Sequence, residues 1–167
     1  MQNVVVSRLE PAFNRAGFDP VPDAEYGQHQ HVQEEHTDQQ FIAMLDAYRG
    51  SGGLARAQEV VALFKRRGGS DLATLASWIV NKKVICFEWQ SKMWLPLFQF
   101  NRLNMAPQPG LSQVLAQLIP DHDGWALAKW FAQPNAWLGD RTPAAMLDLD
   151  PPAVLNASRA ARLIANG

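Results

Sequence analysis

The chain has a single cysteine and no apolar run approaching the roughly 20 residues that span a bilayer. With Cys86 alone no intramolecular disulfide can form, and its place inside the apolar run from Val84 to Trp89 implies a buried thiol. Nothing beside it suggests an activated nucleophile. The first residues lack the basic region and apolar core of a signal peptide, so a cytoplasmic location without membrane contact is expected. Gly-rich phosphate loops, zinc-ligand spacings, G-x-S-x-G elbows and paired carboxylates on one helical face are also missing. His122 stands between Asp121 and Asp123, but at a helix start it reads as capping and solvation rather than as an oriented base. The sequence nominates no catalytic group and no cofactor or metal, and a non-enzymatic protein is expected. No internal repeat is present.

What is present suits a globular protein. The chain has 167 residues, 47% hydrophobic and 10% aromatic, enough for one sizeable core or two small ones. Its net charge of −1 conceals an asymmetry. Residues 1–53 hold three basic and eight acidic side chains, and residues 84–167 hold six of each. Between them, Arg56, Lys65, Arg66, Arg67, Lys82 and Lys83 face only Glu59 and Asp71. A polyanion would therefore dock on the middle segment.

Residues 1–37 read as an acidic arm whose Pro, Gly, Gln and His content buries too little apolar surface to order by itself. Val4, Leu9, Phe13 and Phe18 offer it packing contacts to the body or to another subunit. His29, His31 and His36 beside Glu34 and Glu35 are metal-ligand types, but no rigid element fixes them, so a solvated segment is the preferred reading.

Residues 38–100 read as a small helical region with one β-hairpin. A helix over Asp38–Tyr48 is capped by Thr37 or Asp38 and presents Phe41, Met44, Leu45 and Tyr48 on one face. Ser51-Gly52-Gly53 breaks the chain. A second helix is expected from Leu54 to Arg67 and a third from a Ser70 cap to Lys82-Lys83, joined by Gly68-Gly69. Two helices across a short Gly-containing turn form a helix-turn-helix-like pair, the second presenting Asp71, Thr74, Ser77, Trp78 and Asn81 outward or to partners. Lys65, Arg66, Arg67, Lys82 and Lys83 are placed to touch phosphates, which fixes orientation without reading bases. Val84–Trp89 and Met93–Phe100 then form a winglike hairpin, with Pro96 placing its strand at an edge or bulge. Its aromatics, Phe87, Trp89, Trp94 and Phe98, are expected to cover the helices.

Residues 101–167 read as a compact helical domain. Leu111–Leu118 forms one helix, and Asp123 caps another in which Trp125, Leu127, Ala128, Phe131 and Ala132 share a face. Pro134 stops that helix, Gly139 offers a positive φ, and Thr142-Pro143 caps and begins the next. Asp150 and Pro151-Pro152 introduce a last helix over Ala153–Ile164.

Trp130, Pro134, Asn135, Leu138, Gly139, Arg141, Pro143 and Leu147 resemble the W…PN..L.G.(R)(T)P…L pattern of the toxin-binding domain in Xre/MbcA/ParS-type antitoxins. The likeness covers the last third of the chain, and the helix-turn-helix region resembles more weakly the segment preceding that domain in the family. Asp140 stands between Gly139 and Arg141, where members often have a second glycine or a direct Gly-Arg step. The resemblance implies an antitoxin that packs against a cognate toxin, often a RES-type enzyme consuming NAD, and obstructs its active site. Carried over by motif, Trp130, Asn135, Leu138, Arg141 and Pro143 are the implied toxin contacts. Arg159, Arg162 and the stretch from Ile164 to Gly167 would add a tail contact. Autoregulation through Lys65, Arg66, Arg67, Thr74, Ser77, Lys82 and Lys83, and a homo-oligomeric state, complete this expectation. The alternative is a DNA-binding transcriptional regulator whose helical domain only dimerises, without a toxin.

Overall fold

In the computed structural model, residues 36–167 are described, and they form one compact unit. The arm's apolar residues, His29 and His31 lie outside the described residues. Helix α1 (Asp38–Tyr48) begins with a reciprocal cap: Thr37 Oγ1 accepts the Gln40 N–H at 3.3 Å, and Gln40 Oε1 accepts the Thr37 N–H at 2.8 Å. Its inward face is Phe41, Met44 and Tyr48, while Leu45, expected with them, is 36% exposed. Among the described residues there follow β1 (Leu54–Arg56), α2 (Ala57–Arg66), α3 (Leu72–Val80), β2 (Phe87–Trp89) and β3 (Lys92–Pro96). Four more helices close the chain: α4 (Leu111–Leu118), α5 (Gly124–Ala132), α6 (Pro143–Met146) and α7 (Pro151–Ala165). The architecture is mainly α with one small antiparallel sheet, as expected.

Strand β1 corrects the expected start of the second helix. Leu54 and Ala55 pair with Pro96 and Leu95, and the helix begins only after Arg56. There the Glu59 carboxylate accepts both the Arg56 N–H at 2.7 Å and its guanidinium at 2.8 Å. This pairing holds Glu59 below the usual carboxylate range. The third helix is capped by Asp71, not Ser70: its Oδ1 accepts the Thr74 N–H at 2.8 Å.

The hairpin is shorter than expected, and its second strand lies in the middle of the sheet, whose order is β1-β3-β2. Pro96 is tolerated there because it ends the strand, where the Leu97 N–H reaches the Gly53 carbonyl at 2.9 Å instead. Gln90 and Ser91 form a two-residue turn with φ of 49° and 56°, the left-handed pair that matches strand twist. Alternation along the strands then serves both sheet faces. Leu54, Phe87, Trp89 and Trp94 join the larger core, built from α1 and α4 to α7. Ala55, Met93 and Leu95 join a smaller core under α2 and α3.

Aromatic packing ties the hairpin to the helices. Phe41 stacks on Trp89 with centroids 3.8 Å apart, Phe87 meets Trp125 edge-on at 5.0 Å, and Phe98 lies 5.1 Å from Phe131. The larger core thus takes residues from both stretches, 38–100 and 101–167. Trp78, expected to face outward, packs against Phe64 at 5.8 Å. Two polar side chains pin the assembly. The buried Tyr48 hydroxyl donates to the Ala128 carbonyl at 2.6 Å, and the buried Gln99 amide makes two bonds to the Ile85 backbone.

Candidate functional site

The Pro-Asn to Thr-Pro segment is a closed loop between two helices. After α5 ends at Ala132, Gln133 is extended, as the residue before a proline tends to be. The Asn135 N–H donates to the Arg141 carbonyl at 3.1 Å, and the Asn135 carbonyl accepts the N–H groups of Leu138 at 2.9 Å and Asp140 at 3.0 Å. Its side-chain Oδ1 accepts the Trp137 N–H at 2.9 Å, starting a 3-10 turn over Ala136–Leu138. Gly139 and Asp140 follow with φ of 62° and 59°. Asp140 therefore takes a left-handed conformation that favours glycine and that aspartate tolerates, and the ring closes with it in place. Thr142 caps α6 through the Ala145 N–H at 3.2 Å, and Pro143 fills its first position.

This geometry divides the expected contact residues by exposure. Leu138 and Pro143 are buried, and Asn135 is occupied in shaping the loop. Trp130 is half-buried, its ring edge-on to Phe131 at 4.9 Å. Arg141 is exposed, and among the described residues its side chain makes no ion pair or hydrogen bond. On α7, Arg159 reaches Asn156 and Arg162 reaches Gln117 of α4, each at 3.4 Å, and both guanidinium groups face solvent. The loop packs against α7. Trp137, missed from the sequence, is 69% exposed at the loop tip. The signal was there: residues three and four positions away on both sides are Gln133, Pro134, Asp140 and Arg141, so no apolar neighbour is spaced to cover it. Leu163 and Ile164, near the end of α7, are also exposed.

The basic segment is built differently. Lys65, Arg66, Arg67, Lys82 and Lys83 are all exposed, and none pairs with a carboxylate among the described residues. They flank α3 at both ends, whereas α3 itself carries no basic residue. Thr74 is committed to its cap: its backbone N–H donates to the Asp71 carboxylate at 2.8 Å and its hydroxyl at 2.9 Å, and these bonds hold the Asp71 carboxyl below its ordinary range. Ser77 is exposed and bonds Asn81. The rest of the exposed α3 surface is apolar, with Leu72 63% and Val80 78% exposed.

Among the described residues no three His, Cys, Asp or Glu side chains group to hold a metal ion. His36 instead stacks on Trp125 at 3.8 Å. Burial pushes the Cys86 thiol up from its ordinary value, away from thiolate chemistry. Among the described residues no helix is long and apolar enough to cross a membrane. No protein-family model, no curated protein and no solved structure matches the chain.

Proposed function

We propose that this chain is a non-enzymatic, antitoxin-like cytoplasmic protein that binds a toxin through its carboxy-terminal helices and obstructs the toxin's active site. The observation that carries this reading is the closed loop from Asn135 to Arg141. Its apolar motif members are spent on shape, while Trp137 and Arg141 are left on the surface of a rigid turn. A large aromatic beside an unpaired arginine is the composition that dominates binding energy at protein interfaces. Arg141 presents a planar fork to a partner carboxylate. The toxin class suggested by the resemblance is a RES-type enzyme, and the complex is expected to contain more than one copy of this chain. Co-expression with the product of the adjacent reading frame tests the proposal. Rescue of a growth-arresting neighbour, with a stable co-purified complex, supports it; a harmless neighbour and a lone purified protein overturn it.

A second reading, a DNA-binding regulator that only dimerises through its helical domain, is favoured by one observation. The order β1-α2-α3-β2-β3 sets a helix-turn-helix-like pair beside a hairpin, with five basic side chains at the end of α2 and just after α3 that make no ion pair among the described residues. Replacing Lys65, Arg66 and Arg67 by glutamine separates the readings. It flattens the salt dependence of DNA binding if they touch phosphates, and it leaves toxin binding unchanged.

A further inference from the structure

A cavity of about 500 Å³ opens where residues 50–52, α2, the stretch after β3 and α6 meet, and of the residues named for either functional reading only Arg67 lines it. Its apolar wall includes Leu63 from the end of α2, Leu97 and Phe98 after β3, and Met105. Ala144 and Ala145 of α6 close another side, their small side chains leaving the space unfilled. The volume lies within the range of sites that enclose a small organic molecule.

The charged lining is lopsided. Arg67 and Arg102 line the cavity with a single carboxylate, Asp148. All three are exposed, and none makes an ion pair among the described residues. Two guanidinium groups against one carboxylate leave a surplus of one positive charge, which suits a monoanion better than a dianion. A guanidinium fork matches a carboxylate in plane and spacing.

We propose that this cavity is a binding site for a small aromatic monocarboxylate, its ring against the apolar wall and its carboxylate at Arg67 and Arg102. The site stands apart from the proposed toxin contact, since no residue of the 135–141 loop lines it. Four sequence-distant segments build it, which explains why no local motif announces it.

Isothermal titration calorimetry of the full chain with 2-naphthoate, and with its neutral counterpart 2-naphthamide, tests the assignment. One saturable site is expected, with the amide binding at least about tenfold more weakly. The Arg67→Gln/Arg102→Gln double variant, altered at two exposed positions, should lose at least about tenfold in naphthoate affinity. Ala145→Trp, which adds an indole at the cavity wall from an exposed helical position, should weaken binding. Melting curves matching the parent show that the variants remain folded. The proposal is overturned by the absence of naphthoate binding, by equal binding of the amide, or by folded variants that bind as well as the parent.

Discussion

Gln99 is fully buried in a segment that reads as strand, and replacing it tests how the hairpin is held. Its Oε1 accepts the Ile85 N–H at 2.6 Å and its Nε2 donates to the Ile85 carbonyl at 2.9 Å. The side chain thus acts as a ladder rung where no backbone partner is present. Gln99→Leu keeps a similar volume and removes both bonds. Each stranded Ile85 group costs about 1–3 kcal/mol. The added apolar burial offsets about 1 kcal/mol. A loss of about 3 kcal/mol is expected, a large fraction of the roughly 5–15 kcal/mol that holds a domain together. Urea unfolding followed by tryptophan fluorescence measures it, with the change in the midpoint and an unchanged slope. Gln99→Glu adds a pH signature. A buried carboxyl facing a carbonyl has its folded pKa raised, so the protonated form that can donate to Ile85 is favoured. Relative to the parent, this variant is most stable at low pH and loses stability as pH rises through the raised pKa. A Gln99→Leu change below about 1 kcal/mol would refute the pin.

Other substitutions follow from equally specific contacts. An alanine in a helix normally stabilises it relative to glycine by about 1 kcal/mol. Gly124→Ala should do the reverse, by about 1–3 kcal/mol in the same unfolding assay, because the added Cβ would overlap the Cys86 carbonyl oxygen. Tyr48→Phe removes a buried hydrogen bond to the Ala128 carbonyl and should cost about 0.5–1.5 kcal/mol. Asp71→Ala removes the α3 cap and should lower stability at neutral pH. Because the folded Asp71 pKa is depressed, this contribution is present above the unfolded value and lost as pH falls through the folded one. The stability gap between Asp71→Ala and the parent should therefore narrow in acid, as thermal melts across pH would record.

Caps and periodicity were legible because they are local. Thr37, Asp123, Thr142 and Asp150 each bond a backbone N–H three positions on, as their spacing implied. Strand β1 was not legible, because three residues acquire strand character only from a partner some forty positions away. For the same reason Pro96 pointed to an edge although its strand is central. The packing of half-buried Trp78 and the burial of Gln99 were equally hidden, since neighbours in space and not in sequence decide them. In the candidate site, the turn chemistry of Asn135, Gly139 and Thr142 could be read directly. Which of its residues face solvent could not be read directly, so Leu138 and Pro143 were expected as contacts and Trp137 was passed over.

The most direct test is the affinity of the purified chain for the adjacent reading frame's product, measured by titration calorimetry for the parent, Trp137→Ala and Arg141→Glu. Both side chains are exposed, so neither change should shift the melting curve. Each variant is expected to bind at least about 30-fold more weakly, corresponding to about 2 kcal/mol of lost interface energy. Folded variants that bind the partner as tightly as the parent would contradict this expectation.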